Sequence, residues 1–554
     1  MKKHIKYLLI IFLLSIISMM PMLSETHILG HDTNFHVANI NAIHESIDEH
    51  FIPSKILDKV GNNFGYATNI FYPPLPHTST AYLTKLTSPF GFDTLDTLAV
   101  VYFLITFISA IEVYFLAEKI SHKKIVALAS SIIFLLMPYR LGDMIVRGAL
   151  NECFTFLFIP LVLLSLFNLI DDKPKAFFLQ FVIGYTGLFY SHLVITLYFT
   201  LFLIPFILIY FKKLWQKENR KLAITAIITV TLFILPILVP LLEHKIMGNY
   251  LVFAENYLSG LNFLQAYNNT LLEYIQVLDD YSWAVPKFIN MLVILLFVIS
   301  TILLIKDKKK EKKITFLYWF SFLAFFLSLN IFPWQWMPEF MYMIQFAWRT
   351  ETMLVISLSV LAPLCLTYLT KDKVQLYTSI ITIAAIVLTT IPFLEKLSTH
   401  TYLTESDVNP NLAMGHQQEY LPVNTYNNID YFNNRGHEIK KTNGNCDIQI
   451  LSDKIPELSF EVSNANGNVT IELPRLFYFG YHLTGEKGTY TLSLQENENG
   501  FLEATIRGNG TYHLTYTGTI LDKIANILSL GGFILVGITL FKLRKRTTNM
   551  KCTP

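Results

Sequence analysis

The chain has 554 residues, of which 53% are hydrophobic and only 15% are charged, and its formal net charge is +2. A soluble domain carries roughly 25% charged residues, and the mean hydropathy of +0.43 is far to the apolar side. This composition excludes a soluble cytosolic enzyme and a disordered chain. It also excludes a nucleic-acid-binding protein, which would need a concentrated basic surface.

Long apolar segments predict an α-helical polytopic membrane protein. A bilayer core requires roughly 20 apolar residues per helix, and about twelve such segments are present. They lie at about 6–23, 97–117, 124–138, 153–170, 176–190, 193–211, 222–242, 287–305, 314–332, 351–370, 374–394 and 520–541. Lysines precede the first segment as in a signal peptide, but no small-residue cleavage site follows it, which favours an uncleaved helix.

The positions of Lys and Arg predict the orientation in the cell membrane. If both termini are cytoplasmic, the inner segments hold 26 of the 43 Lys and Arg residues, as the positive-inside rule requires. These segments are 1–6, 118–124, 171–175, 212–221, 306–313, 371–373 and the basic tail 542–554. The transmembrane domain 1–394 then has outer loops at 24–96, 139–152, 243–286 and 333–350, and an extracytoplasmic region at 395–519 precedes the last helix at 520–541.

The extracytoplasmic region changes from about residue 440 to a two-residue alternation of apolar and polar side chains. Residues 469–473 and 511–516 show this pattern, and turns such as Asn466-Gly467 and Asn499-Gly500 separate the runs. This punctuation is typical of antiparallel hairpins. We predict a small antiparallel β-sandwich of about eight strands, which is either a rigid cap or a glycan-contacting module.

The first group of polar residues follows the first apolar segment. If a helix begins there, Asp32, His36 and Asn39 lie on one face, beside an apolar face, as in an amphipathic helix at the membrane surface. Asp32 is then a candidate general base or a ligand of a divalent cation such as Mg²⁺ or Mn²⁺, with His36 or His31 assisting. The alternative is that Asp32 caps the helix and the histidines are merely polar.

A second group lies in the predicted outer loop 139–152. Arg140, Asp143 and Arg147 recur at helical spacing and Glu152 follows. Guanidinium groups suit phosphate oxygens, so this group is a candidate anion clamp. The alternative is a set of internal salt bridges.

The remaining candidates lie at the predicted outer ends of later helices. They are His192, Glu243, Trp348 and Arg349. Because all of these groups fall on one side of the membrane, we expect them to converge in an outward-facing cavity that suits a lipid phosphate. Trp348 and Arg349 could instead anchor the helix at the interface. Nucleotide-binding glycine loops are absent from the sequence.

Several motifs resemble a bacterial family of polytopic membrane proteins called 6-pyruvoyl-tetrahydropterin-synthase-related. That family is akin to YfhO-type proteins and is grouped with the GT-C glycosyltransferases. The matching stretches are 31–36, 71–76, 139–143 with 146–149, 191–193, 344–349, 419–422 and 477–481. One departure is Ala347, directly before Trp348 and Arg349, where the family pattern has proline.

The resemblance implies a GT-C-like fold and a glycosyltransferase that uses a polyprenyl-phosphate-linked sugar. The acceptor would be an envelope glycopolymer or lipid. Asp32 would deprotonate the acceptor hydroxyl or bind a metal, and Arg140, Arg147 and Arg349 would hold the donor phosphate. The residues His36, His192 and Glu243 would line the acceptor side.

Two other functions compete with glycosyl transfer. A flippase or transporter of lipid-linked sugars would need polar residues along its helices, whereas the charges here cluster at the predicted outer ends. A non-catalytic envelope assembly protein would act through its β-domain and would not need Asp32.

Overall fold

The computed structural model describes residues 3–22, 27–28, 30–49, 54–254, 291–306, 311–369, 402–404, 408, 413–415 and 418–551. The described part is mainly helical up to residue 369, forms β-strands between residues 440 and 516, and ends in one long helix. The predicted combination of apolar helices with a small C-terminal antiparallel β-domain is therefore confirmed at this level.

The helices vary widely in length. In chain order they are α1 (Ile5–Met19), α2 (Thr33–Glu49), α3 (Thr68–Phe71), α4 (Leu75–Thr87), α5 (Thr94–Ser121), α6 (Lys124–Leu136), α7 (Pro138–Leu141), α8 (Leu150–Ile170), α9 (Pro174–Ser191), α10 (Leu193–Phe202), α11 (Ile204–Leu214), α12 (Lys217–Met247), α13 (Met291–Lys306), α14 (Lys312–Ser328), α15 (Glu351–Leu369), α16 (Val423–Asn427), α17 (Ile429–Asn434) and α18 (Ile520–Lys551). A π-helix, Gly142–Arg147, follows α7 directly, and short 3-10 helices include Glu339–Ile344 and Ala347–Thr350.

Within the described residues, five helices are long and apolar enough to cross a membrane. They are α1 with its following turn, α5, α8, α12 and α18. Two bent pairs, α6 with the segment 138–147 and α10 with α11, raise the number to as many as seven. A membrane protein is thus supported, whereas the predicted twelve crossings are not reached. The predicted segment 374–394 lies outside the described residues, and the other segments coincide with helices that do not all meet this criterion.

Four of the segments predicted to be cytoplasmic contact one another at the ends of their helices. Lys119 Nζ and Lys313 Nζ each lie 3.0 Å from Asp171 Oδ2, and Lys213 Nζ lies 2.8 Å from Asp172 Oδ2. These ion pairs connect the ends of α5, α8, α11 and α14. Such a one-sided arrangement is what the charge pattern requires, and the side of the membrane remains a prediction.

The C-terminal β-domain contains eight strands in two antiparallel sheets. They are β3 (Lys440–Asn443), β4 (Asp447–Lys454), β5 (Glu457–Ser463), β6 (Asn468–Leu476), β7 (Tyr481–Gly485), β8 (Tyr490–Glu496), β9 (Phe501–Arg507) and β10 (Gly510–Tyr516), after the short pair β1 (His27–Ile28) and β2 (Tyr402–Leu403). The sheet orders are β4-β5-β10-β7 and β3-β6-β9-β8. Alternation produces the core: Leu458, Phe460 and Val462 of β5 are buried, and Phe460 stacks on Tyr512 with ring centroids 5.5 Å apart. The predicted number of strands is correct.

Residues 54–66 connect the β-domain to the helices. Lys55 Nζ lies 2.7 Å from Asp522 Oδ1 at the beginning of α18. The Phe64 ring stacks on His437 with ring centroids 4.7 Å apart, and the Phe64 carbonyl accepts a hydrogen bond from Leu476 N at 3.1 Å. The first predicted outer loop is therefore largely helical and packed, and this fixes α2 and α4 on either side of the connection.

Candidate functional site

Glu152, in the first turn of α8, brings together charged residues from separate sequence motifs. Arg147 Nη1 and Nη2 donate to its two carboxylate oxygens at 2.8 and 3.1 Å, and Arg349 Nε donates to Oε1 at 2.7 Å. Arg147 Nη1 also donates to Asp143 Oδ1 at 2.5 Å. The negative charge suits a helix N-terminus. We call Asp32, Asp143, Arg147, Glu152 and Arg349 the Glu152 cluster.

Asp32 is the most exposed member of the Glu152 cluster. Its Oδ2 lies 3.8 Å from Arg147 Nη2, and its side chain is 37% exposed, against 0–12% for the other four. Main-chain pairing fixes its position, since Asp32 N donates to Arg147 O at 2.7 Å and His31 N donates to Val146 O at 3.1 Å. Asp32 thus directly precedes α2, as a helix cap would, and its carboxylate also faces a guanidinium group.

Two glycines allow the chain segments that carry Asp32 and Arg147 to meet. A Cβ on Gly30 would lie 2.8 Å from Gly148 N and 2.9 Å from the Arg147 carbonyl carbon. Gly148 has a φ of +63°, and a Cβ there would overlap the Thr33 hydroxyl. Only glycine combines this left-handed conformation with so close an approach, so both glycines hold the site together.

The Nη2 group of Arg349 is a hydrogen-bond donor of the cluster that has no acceptor among the described residues. Arg349 Nη1 donates to Gln345 Oε1 at 2.6 Å and to Ile344 O at 3.0 Å, while its Nε is bound to Glu152. The side chain is therefore held on one edge and can donate to a ligand from the other.

The segment that precedes α15 orients the Arg349 side chain toward Glu152. Gln345 adopts a φ of +63° and a ψ of −52°, a conformation that costs roughly 1–3 kcal/mol in a non-glycine residue and occurs often at functional sites. Trp348 is buried and stacks on Phe346, with ring centroids 4.4 Å apart. The Arg349 guanidinium carbon lies 5.1 Å from the centroid of the Phe346 ring. Trp348 thus supports Phe346, and Phe346 supports the arginine.

His36 and His77 form a buried pair beside the cluster. Leu150 N donates to His36 Nε2 at 3.2 Å, and His36 Nδ1 lies 2.7 Å from His77 Nε2. Because Nε2 of His36 accepts a hydrogen bond, its proton is on Nδ1, which donates to His77; the proton of His77 is then also on Nδ1. Burial lowers the pKa of His36 well below its usual value, helped by His77 and Arg147, and lowers the pKa of His77 to about 3. Both rings are neutral, and they fix the first residue of α8.

α2 differs from the predicted surface helix. Its apolar residues Val37, Ile40 and Ile43 are buried, but so are His36 and Asn39 on the polar face. α4 packs against α2 and supplies His77, so the polar face is covered by protein. The two histidines therefore position α8 and are not open to a substrate.

His192 lies at the edge of the cluster. Its Nδ1 accepts a hydrogen bond from Ile195 N at 3.3 Å, which caps α10, and its Nε2 lies 3.9 Å from Glu152 Oε1. The structure thus brings His192 to the same carboxylate as the two arginines.

Arg140 and Glu243 make their hydrogen bonds outside the Glu152 cluster. Arg140 is fully buried and donates to the carbonyls of Phe134 and Leu135 at the end of α6 and to the Thr106 hydroxyl. Glu243 accepts a hydrogen bond from the Thr519 hydroxyl at 2.7 Å, beside the last helix. The structure therefore gives Arg140 a helix-capping contact and Glu243 an interdomain contact.

Two further residues reach the site without having been proposed from the sequence. Burial raises the pKa of Tyr72, and the charges of Asp32, Arg349 and Glu419 all act on its phenol. Tyr72 belongs to the proline-rich motif 71–76, which suggested only a structural wall. Glu419 belongs to the motif 419–422, whose acidic residue could have been singled out.

The described residues do not form an evident metal site. They contain no group of three or more His, Cys, Asp or Glu side chains with a metal-binding arrangement, and the nearest charged partner of Asp32 among them is the Arg147 guanidinium. A divalent cation requires several oxygen ligands. The described residues alone do not supply a full ligand set for Mg²⁺ or Mn²⁺, and a metal at Asp32 stays a prediction.

Comparison with known proteins places the chain in a family. Residues 5–371 match the family described as "Family of unknown function (DUF6541)", and the chain therefore belongs to it. A protein from Lactococcus lactis subsp. cremoris, described as "Uncharacterized protein", is 23% identical over 610 residues, which cover 97% of this chain and 95% of the relative. Neither description names a glycosyltransferase or a YfhO-type protein.

Proposed function

Since the DUF6541 family to which the chain belongs is described as one of unknown function, we propose an activity from the site itself. The protein is a membrane glycosyltransferase that moves a sugar from a polyprenyl-phosphate donor to an envelope glycopolymer or lipid. The observation that carries the proposal is that Arg147 contacts both an accessible carboxylate, Asp32, and Glu152, the residue that also binds Arg349. The Nη2 group of Arg349 has no hydrogen-bond acceptor among the described residues.

The roles follow from these positions. Asp32 takes the proton of the acceptor hydroxyl as the oxygen attacks the anomeric carbon of the donor sugar. A new carbon–oxygen bond forms, and the bond from the anomeric carbon to the phosphate oxygen breaks. The electron pair of that bond leaves on the phosphate, to which Arg349 Nη2 donates hydrogen bonds.

The charges in the cluster define how a phosphate would be held. Two guanidinium groups face three carboxyl groups, those of Asp32, Asp143 and Glu152, so the cluster has no excess positive charge. A phosphate must therefore be held by directed hydrogen bonds from Arg349, because Arg147 is already bound to Glu152 and Asp143. Arg147 therefore positions Glu152 and Asp32.

The resemblance to GT-C proteins supplies the substrate class and the location. In that scheme the transfer occurs on the outer face of the cell membrane, and the β-domain lies outside. The large number of apolar helices supports access to a lipid-linked donor within the bilayer.

The proposal predicts that Asp32→Asn abolishes transfer. A deletion strain would be complemented with wild type, Asp32→Asn or Arg349→Ala, and the sugars of its envelope polymers would be compared. One sugar substituent should be lost in the deletion strain, return with wild type, and fall at least 100-fold with Asp32→Asn, since a positioned base contributes typically 10²–10⁴-fold.

The matched control is Asp430→Asn, which changes an exposed aspartate of α17 and should restore the polymer fully. Protein levels in the membrane must be equal for all variants. A wild-type polymer in the Asp32→Asn and Arg349→Ala strains would refute the proposal.

A non-catalytic assembly role is the second candidate, and the closed ion pairs of Arg147 favour it, because they resemble an internal salt-bridge set. In that case the envelope should be normal in the Asp32→Asn strain and defective when residues 440–518 are deleted.

A further inference from the structure

Residues 413–415 and 418–422, which we call the Glu419 segment, lie against the helices that carry the site. Asn39 Nδ2 of α2 donates to Ala413 O at 3.0 Å. The Tyr66 hydroxyl donates to Met414 O at 3.1 Å and accepts from Tyr420 N at 2.9 Å. One buried tyrosine thus ties both parts of the segment to the chain just before α3.

The opposite side of the Glu419 segment is held equally firmly. Val252 N donates to Glu419 O at 2.7 Å, and Leu251 N donates to Leu421 O at 3.0 Å. The Tyr478 hydroxyl of the β-domain donates to Tyr420 O at 3.0 Å. The main chain at Glu419 is therefore fixed between the helical part and the β-domain.

A glycine leaves space for the Glu419 carboxyl group. A Cβ on Gly415, whose φ is +78°, would lie 2.5 Å from Glu419 Oε2 and 3.2 Å from its Cδ. The side chain folds back over its own segment, where it is partly buried. Any larger residue at position 415 would push the carboxyl group away.

Tyr72 lies beside the Glu419 segment, because the preceding residue, Phe71, stacks on Tyr420 with ring centroids 5.2 Å apart. The Tyr72 ring is fixed by His77, with ring centroids 5.7 Å apart, and by Phe35 at 5.6 Å. Asp32 and Glu419 both act electrostatically on its phenol. The two carboxyl groups act on the same phenol, and Asp32 also acts on Glu419, which indicates that they belong to one site.

The environment of Glu419 favours its protonated form. Its pKa is raised to about 7, mainly by burial and also by the charge of Asp32, while a hydrogen bond from its own backbone N–H acts in the opposite direction. Two carboxyl groups in one site with such different surroundings commonly divide the roles of acid and base.

We propose that Glu419 is a second catalytic residue, the general acid that gives its proton to the phosphate oxygen as that oxygen leaves the sugar. This rests on the proposed glycosyl transfer. Asp32 gains the acceptor proton and Glu419 loses one, so no proton is gained or lost overall. Loss of one proton from Asp32 and uptake of one proton by Glu419 then restore both groups.

The first test follows the Glu419 proton in the purified full-length protein in detergent. Infrared titration of the C=O stretch of protonated carboxyl groups should show a band that disappears with a midpoint near pH 7 and is missing in Glu419→Gln. Undecaprenyl phosphate should raise that midpoint by about one pH unit, because a neighbouring negative charge disfavours the carboxylate. The matched control is Glu496→Gln in the β-domain, where burial also raises the pKa of a carboxyl group, and it should leave this shift unchanged.

The second test compares envelope sugars in the complemented strain. Glu419→Gln should reduce transfer at least 100-fold, and Gly415→Ala, which displaces the carboxyl group without removing it, should also impair it. Loss of transfer with Asp32→Asn but not with Glu419→Gln would overturn the role of Glu419 and leave the proposed function standing. Normal transfer with both variants would overturn both, and a midpoint unchanged by undecaprenyl phosphate would refute contact with the phosphate.

Discussion

Replacing His77 with glutamine removes one of two imidazole rings that are buried without charge beside the Glu152 cluster. The glutamine carbonyl can still accept the hydrogen bond from His36 Nδ1. What changes is the number of protons that the unfolded chain binds as the pH falls. Because burial lowers the pKa of His77 to about 3, the folded protein leaves this ring neutral at pH values where the unfolded chain, with a histidine pKa near 6.5, takes up a proton.

Proton linkage gives the sign and size of the change in the free energy of unfolding with pH. Below about pH 6.5 the unfolded state binds more protons, so each such histidine reduces stability as the pH falls, down to the pKa in the folded state. Between pH 7.5 and 5.5 one histidine with these values costs about 1.4 kcal/mol. His77→Gln should therefore lose about 1.4 kcal/mol less than wild type over this interval, although it is less stable at pH 7.5.

The assay is reversible unfolding in detergent, followed by tryptophan fluorescence at several pH values. Other buried histidines contribute equally to both proteins and cancel in the difference. The control is His122→Asn, which changes an exposed histidine with a φ of +55°, a conformation that asparagine tolerates. Equal pH slopes for wild type and His77→Gln would refute the neutral buried pair.

Two more predictions concern the packing of the cluster. Gly148→Ala should destabilise the protein by at least ~1 kcal/mol more than Gly91→Ala, since both positions have a positive φ but only the first would force a Cβ into a neighbour; comparison of unfolding free energies checks this, and equal losses would contradict it. Glu152→Gln should cost about 3–5 kcal/mol, because it leaves buried guanidinium groups without a full counter-charge; a thermal unfolding midpoint equal to that of wild type would show that Glu152 is not the shared partner.

The sequence predicted the helices and strands of this fold better than the contacts between them. Apolar segments and two-residue alternation are local signals, and both produced helices and strands where expected. The convergence of Asp32, Arg147, Glu152 and Arg349 was anticipated only as a common cavity. Its geometry depends on the close approach of Gly30 and Gly148, which no periodicity reveals.

The contacts that the sequence did not predict are of two kinds, local and long-range. Arg140 and Arg147 share a motif, yet the bend after α6 and the π-helix turn Arg140 toward the end of α6 and Arg147 toward Glu152. Tyr72 lies in a motif that suggested a structural wall, and Glu419 lies in a motif noted only for the family resemblance. Their place in the site depends on contacts between segments more than 300 residues apart in sequence.

The Glu152 carboxylate gains its two arginine partners at different times during synthesis. The ribosome delivers Arg147 and Glu152 five residues apart, whereas Arg349 follows Glu152 by 197 residues. At 5–20 residues per second this interval lasts roughly 10–40 s. Throughout it the carboxylate at the beginning of α8 has only one of its two arginines, so the nascent helix bundle must tolerate an incomplete ionic centre until α15 arrives. The cluster is thus completed by a late helix.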